Sequence, residues 1–346
     1  MTPPPRPDPA DSTTLPRIPL RRVSGMAGLI EAERGRLNAL IAAAERSYPR
    51  AVIALGDRLS RRWLERSGNP YLEEVETVDR ALGRPGAYFL NLSYEWACTC
   101  SVGPTADGRT SRLTRVLDWP FDGLGAQVLA VRQSGPAGEW INLTWPGFTG
   151  SIQGMGPGRF AAAFNQAPMR RRSPSRVIDW GLDRIGLWGR RALPPGHLLR
   201  QVFERARSFA DAKEQLIQSP LAMPAIFSLV GPGPADQAVI ERIEHHAVVH
   251  EGPQVAANHW LGPLPRARPR GVDSEGRGRL MRAEAAQAGP DLAWLKPPVL
   301  NETTRLALYA EPASGRLVAQ GFEAAKDGSA APATATTELL AAKAEP

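Results

Sequence analysis

The dipeptide Asp107-Gly108, set between two runs rich in β-branched and apolar residues, is the tightest constraint on what this chain can fold into. Asp-Gly suits the two central positions of a type I′ turn, whose twist matches that of an antiparallel strand pair. Counting outward from that turn, Ala106 faces Arg109, Cys100 faces Arg115 and Cys98 faces Leu117. Side chains alternate across a sheet, so Cys98, Cys100, Arg115 and Leu117 share one face, with Arg115 diagonal to Cys98 and within reach of it. Asp118 falls just beyond the returning strand, level with Ala97. A slip of one residue would send Arg115 to the opposite face.

Around this hairpin the hydrophobic period divides the chain. From Met26 to Arg66 apolar residues recur at helical spacing, with a break near Tyr48-Pro49, and a shorter helix is predicted over Leu72 to Leu82. In AYFLNLSYEW the period becomes two, which predicts a half-buried strand running into Cys98. Further strands are expected at Ala126 to Arg132, Glu139 to Leu143, Phe160 to Phe164, Ala225 to Val230, Ala238 to Arg242, Arg305 to Tyr309 and Arg316 to Gln320. Helices are expected at Val177 to Trp188 and His197 to Arg207, with Ser208 and Asp211 forming a capping box for the next one. Strands separated by a helical block point to an α+β fold of stacked antiparallel sheets with helices outside. Residues 1–20, Pro-rich and polar, and 324–346, rich in Ala, Thr and Lys, read as disordered ends.

Composition narrows the chemistry. The only two cysteines of 346 residues are Cys98 and Cys100. On one strand they lie roughly 6–7 Å apart, at the limit of disulfide geometry, so a disulfide scaffold is excluded. Five histidines, from His197 to His259, lie far downstream without ligand spacing, so neither metal nor cofactor is expected. The net charge of +7 permits an acidic partner, and Arg170-Arg171-Arg172 is the densest basic run. It reads as a solvated loop, and with no interleaved aromatics a nucleic-acid partner is not expected. The glycine-rich GFTGSIQGMGPGRF lacks a strand and helix in the phosphate-binding order, which leaves hairpin turns. No secretory h-region opens the sequence and no apolar run reaches the ~20 residues of a membrane span. A cytoplasmic protein is the expectation, and the three glycosylation patterns, such as Asn91-Leu92-Ser93, are set aside.

A cysteine on a strand is ordinarily an inert core residue. A guanidinium beside it favours the nucleophilic thiolate, and Asp118 could hold that guanidinium in place. Cys98-Thr99-Cys100-Ser101-Val102 followed by Arg115-Val116-Leu117-Asp118 resembles the paired motif of the acid ceramidase and N-acylethanolamine-hydrolysing acid amidase family. These are N-terminal-nucleophile amidases, related to penicillin V acylase, choloylglycine hydrolase and isopenicillin N acyltransferase. GFTGSIQGMGPGRFAAAFNQ, SFADAKEQLIQSPLAMPAIFSLVG and AANHWLGP extend the resemblance over roughly residues 87 to 320. Val116 stands where the family has Asn, Cys100 where it has Ser, and Gln166 where acid ceramidase has Glu.

The resemblance implies a four-layer αββα sandwich made as an inactive precursor. Residues 21–97 would form a helical segment ending in a strand, and 98–323 the catalytic segment of the same domain. Cleavage of the Ala97–Cys98 bond would leave two associated fragments and free the α-amine of Cys98. Such an amine titrates at about 7.7–8.0 and can exchange a proton with its own thiol. The resemblance further gives Cys98 as nucleophile, Asn258 as oxyanion donor, and Arg115 and Asp118 as the groups that orient the cysteine. Trp119, Gln166 and His259 are the expected substrate contacts, and the substrate is a small N-acyl amide with an apolar acyl group. An acyltransferase, or a non-catalytic acyl-binding or thiol-redox protein on the same fold, is the alternative. Asn258 by itself suits a turn. A papain-like pairing of Cys98 with His245, His246 or His250 is disfavoured because the cysteine does not open a helix.

Overall fold

A computed structural model describes residues 15–93 and 96–339. Two sheets dominate it. The first has eight strands in the order β1 (Leu20–Arg22), β4 (Leu129–Gly135), β5 (Gly138–Thr144), β6 (Gln153–Gly156), β7 (Phe160–Gln166), β9 (Ala225–Val230), β10 (Gln237–Ile243) and β11 (His246–Glu251). Only β1 pairs in parallel, with β4. The second runs β12 (Gln254–Ala256), β2 (Ala97–Pro104), β3 (Ser111–Asp118), β14 (Thr304–Glu311), β15 (Arg316–Ala324) and β16 (Ala330–Pro332), with β17 (Thr337–Glu338) also on β15. A small ladder joins β8 (Met169–Arg170) to β13 (Ala267–Arg268).

The two large sheets stack, β2 and β3 lying against β7 and β9. The residues on the faces that meet, among them Cys98, Cys100, Leu117, Asn165, Ser228 and Leu308, are all but fully buried. Outside the first sheet lie α8 (Pro195–Arg205) and α9 (Phe209–Gln218), and outside the second lies α10 (Ser274–Glu284). The layers are therefore α, β, β, α, which is the arrangement expected. Ser208 caps α9 by accepting from the Asp211 N–H at 3.2 Å, and Asp211 reaches back to the Arg207 N–H at 2.9 Å.

The N-terminal segment forms α1 (Gly25–Ala32), α2 (Arg34–Ser47), α3 (Arg50–Ser67), α4 (Leu72–Leu82) and α5 (Ala87–Leu92). The break at Tyr48-Pro49 is present, and a second falls at Glu33. Val52 and Leu59 are 48% and 39% exposed, while Ile53, Trp63 and Leu64 carry the burial of α3. Short α6 (Leu124–Gln127) occupies the start of the strand expected from Ala126, and α7 (Arg176–Trp188) lies over the β8 ladder.

Local pattern and structure part company at two places. The run from Ala87 is helix α5 and not a strand, because Oδ1 of Asp57 on α3 accepts the N–H groups of Gly86, Tyr88 and Phe89 at 2.9–3.1 Å. A distant carboxylate thus caps the turn, which local alternation cannot register. Among the described residues the last element before β2 is thus helix α5, and Ala97 is the first residue of β2. The hairpin loop is wider than two residues. The Thr105 N–H bonds the Thr110 carbonyl and the Gly108 N–H bonds the Thr105 carbonyl, with Gly108 alone of the central pair at positive φ. Widening is symmetric, so the register is unchanged: Cys98 faces Leu117 and Cys100 faces Arg115.

The ends are ordered where they are described. Ile18 is buried, its N–H donates to Thr337 Oγ1 at 3.0 Å, and the Ala335 N–H donates to the Pro16 carbonyl at 2.9 Å. Strands β16 and β17 come from a stretch whose composition suggested disorder, because each adds to the edge of an existing sheet, and β1 begins at the last residue of the other. Residues 1–14 and 340–346 of the predicted tails lie outside the described residues.

Candidate active site

β2 is paired on both sides, with β12 and β3, and Cys98 is its second residue. Arg115, diagonal to it on β3, donates from Nη2 to Cys98 Sγ at 2.8 Å and from Nη1 to the Ile152 carbonyl at 3.1 Å. Both side chains are fully buried. Burial pushes the Cys98 thiol up to about 12, and the Arg115 guanidinium offsets only part of that. The thiol is therefore protonated and shielded from solvent. Cys100, also buried, donates from Sγ to Asn165 Oδ1 at 3.1 Å, and burial raises its pKa as well.

Asn258 follows β12 and reaches the other side of the same cysteine. Its Oδ1 accepts the Cys98 N–H at 2.7 Å, and its Nδ2 donates to the Gln166 carbonyl at 2.8 Å. Two neighbours fix its backbone: the Asn258 N–H donates to Ser274 Oγ at 2.9 Å, and Asn165 Nδ2 donates to the carbonyls of Ala256 and Ala257 at 3.1 Å. Asn258 is thus a fully buried, fully bonded side chain and not an exposed turn residue.

Asp118 pairs with Ala97 across the hairpin, as the register predicted, but it does not hold Arg115. Its Oδ2 takes Arg277 Nη1 at 3.1 Å, and its Oδ1 accepts from Thr304 Oγ1 at 2.9 Å and Asn301 Nδ2 at 3.3 Å. Adjacent positions on a strand face opposite ways, so Asp118 looks away from the Arg115 neighbourhood of Cys98 and toward α10. Burial raises the Asp118 carboxyl against these donors, Arg277 foremost among them.

Arg277 is the residue that sequence reasoning missed. It sits on α10, fully buried, and its Nη1 also donates to the Cys98 carbonyl at 2.9 Å and Thr99 Oγ1 at 2.8 Å. Its Nη2 donates to Asn258 Oδ1 at 3.2 Å and to the Arg270 carbonyl at 3.3 Å. One guanidinium therefore touches the cysteine backbone, the asparagine and the aspartate. In sequence it is one arginine among several in SEGRGRLMR, with no motif to single it out.

Of the three expected substrate contacts, Gln166 lines a cleft together with Ala167, Trp180, Arg190 and Arg270. Trp119 does not. It is buried against Trp96, with ring centroids 4.8 Å apart, and edge-on to Trp145, so its indole belongs to the core. His259 is turned toward α10, its Nδ1 bonding Ser274 Oγ at 2.9 Å, and burial lowers its pKa. His246 and His250 lie on β11, the edge strand of the first sheet, where His250 Nε2 pairs with Glu241 at 2.9 Å. Among the described residues, the side-chain hydrogen-bond partners of Cys98 are Arg115, Asn258 and Arg277.

Among the described residues, no group of His, Cys, Asp and Glu side chains could hold a metal ion, and no helix is long and apolar enough to cross a membrane.

Among solved structures, the chain is similar to an N-acylethanolamine-hydrolysing acid amidase ortholog from Caenorhabditis elegans. The identity is 17% over 62% of this chain and 93% of that one, with a TM-score of 0.49. It is also similar to two variants of the conjugated bile acid hydrolase of Clostridium perfringens, each at 10% identity over 71% of this chain, with TM-scores of 0.38 and 0.36. These cover 98% and 97% of the bacterial chains. No protein-family model and no curated protein matches the chain.

Proposed function

We propose that the chain is a self-processing cysteine amidase that hydrolyses the C–N bond of a small N-acyl amide. The observation that carries this reading is the clamp on Cys98: Arg115 at its sulfur, at 2.8 Å, and Asn258 at its nitrogen, at 2.7 Å, both buried. A merely structural cysteine needs neither a cation at its sulfur nor a side-chain amide on its backbone nitrogen.

In the processing step Sγ attacks the Ala97 carbonyl carbon. The S–C bond forms, the C–N bond to Cys98 breaks, and the departing nitrogen takes up the proton that Sγ gives up, becoming an α-amine. Water then hydrolyses the thioester and restores the thiol. Arg277, on the Cys98 carbonyl, keeps the strand from shifting while this occurs. In turnover the new amine takes the thiol proton, Sγ attacks the substrate carbonyl, and the amine returns the proton to the leaving nitrogen. Asn258 Nδ2, relinquishing the Gln166 carbonyl, would donate to the oxyanion, a role worth roughly 3–4 kcal/mol at a positioned donor. A thiol held near 12 before cleavage suits a dormant precursor, and a neighbouring α-ammonium would lower it afterwards.

Intact-mass and N-terminal analysis of purified protein tests the reading. The expected result is a fragment beginning at Cys98 in wild type and an uncut chain in Cys98→Ala, with N-acyl amide hydrolysis only in the former. A wild-type chain that stays whole from pH 4 to pH 8, with Cys98 no more reactive than a buried core thiol, would favour the non-catalytic binding reading.

A further inference from the structure

Gly271, in the loop ahead of α10, lies against Ala97, the residue before the proposed cut. A β-carbon added to Gly271 would stand 2.3 Å from the Ala97 β-carbon and 2.9 Å from Arg277 Nη2, well inside contact distance. Its φ of +70° is moreover one that a side chain rarely adopts, so position 271 is built for glycine. Ala97 itself is 4% exposed. A longer side chain there would have to push the main chain of the loop aside.

The loop is held where it stands. Arg277 donates from Nε to the Val272 carbonyl at 2.8 Å and from Nη2 to the Arg270 carbonyl at 3.3 Å, which grips Gly271 through both of its neighbours. The same guanidinium reaches the Cys98 carbonyl and Thr99 Oγ1. The Arg270 N–H donates to the Asn258 carbonyl at 3.2 Å, and Asp273, the N-cap of α10, accepts the Gly276 N–H at 2.9 Å. Ala97, Thr99 and Asp118 point to the side of the sheet that α10 covers. One buried side chain thus fixes the spacing between the loop and the strand on which the cut would fall.

Cleavage chemistry does not itself require alanine before the cysteine, since the bond that breaks is the same after any residue. The wall at Gly271 does. Resting on the self-processing reading above, we infer that Gly271 is a specificity-determining residue of that step. Its main chain closes a subsite that admits at position 97 a side chain no larger than about alanine's, and so holds the Ala97 carbonyl in place for Sγ.

The test follows the appearance of the Cys98 N-terminus by mass spectrometry during cell-free synthesis of the full chain, with circular dichroism as the check on folding. Ala97→Leu and Gly271→Ala should each slow the cut at least about tenfold, by displacing the scissile carbonyl. In the double variant Ala97→Gly, Gly271→Ala the methyl has changed sides, and the rate should return to within about threefold of Ala97→Gly alone. A general loss of stability at Gly271 would not be relieved by trimming residue 97. Should Gly271→Ala fail to fold, Ala97→Ser against Ala97→Leu reads the same subsite, the first cut normally and the second slowly. Ala97→Leu cut as fast as wild type, or a double variant no faster than Gly271→Ala, overturns the inference and leaves the amidase reading standing. Urea unfolding of the same single and double variants in a Cys98→Ala background separates the two failures. If wild type stays whole yet Ala97→Gly restores the midpoint lost in Gly271→Ala, the self-processing reading falls and the closed wall over residue 97 stands; if it restores nothing, both fall.

Discussion

Arg277 donates to the backbone carbonyl of Cys98 at 2.9 Å from the same nitrogen that pairs with Asp118 at 3.1 Å. The candidate nucleophile is thus anchored through its main chain by a helix that lies on the far side of its own sheet.

Removing that anchor leaves a buried carboxylate facing no cation. Arg277→Met should destabilise the fold by about 3–5 kcal/mol, with Asp118→Asn in the same background recovering part of the loss. Urea unfolding of the single and double variants measures both, and a cost below about 1 kcal/mol would show that the pair is dispensable.

Asn258→Ala removes the acceptor of the Cys98 N–H and the donor proposed for the oxyanion together. Turnover by whatever processed protein forms should drop roughly 10²–10³-fold. Because the amide also ties Gln166 in place, circular dichroism at matched temperature is needed beside the kinetics; a variant that is folded, cut and fully active would remove Asn258 from the mechanism.

The buried thiol offers a direct readout of processing. In a Cys100→Ser background, the uncut chain should react with iodoacetamide at pH 8 at least about a hundredfold more slowly than free cysteine, because its thiol sits near 12. Arg115→Met should slow it further by taking away the neighbouring cation, and cleavage should speed it. Fast labelling of uncut protein would contradict the burial described above.

Acid should loosen the packing of the helical segment through His197. Its Nδ1 meets Asn69 Nδ2 at 2.8 Å and its Nε2 meets Thr149 Oγ1 at 2.9 Å, and burial, reinforced by Arg200, pushes it down to about 3 from 6.5. A depressed histidine binds its proton more readily when unfolded, so its contribution is complete above pH 6.5 and is lost as pH falls toward 3. The loss approaches about 1.4 kcal/mol per pH unit within that window. Urea unfolding at pH 7 and pH 5 should show a smaller drop for His197→Gln than for wild type; parallel drops would refute the assignment.

What could be read in advance was what depends on parity and local chemistry. The hairpin register followed from counting outward from Asp107-Gly108, and it survived a wider loop because the count remained even. The Cys98–Arg115 contact came with it. What could not be read depends on partners far away in the chain: Asp57 making a helix of residues that alternate like a strand, the sheet edges that order Ile18 and Thr337, and Arg277 arriving from α10. Trp119 carried no local mark that would place it in the core and not in the cleft.

The bonds between Pro16 or Ile18 and Ala335 or Thr337 bring the two ends of the described chain together. A path that closes on itself in this way behaves as a ring fastened at one point by hydrogen bonds. Breaking it between Ala97 and Cys98 would permute that ring, turning an interior residue into a first residue without asking any strand to change neighbours. A gene rewritten to carry codon 98 directly after its start codon, with its old ends fused, should encode the same folded body and expose its terminal cysteine once the initiator methionine is removed, with no internal cut.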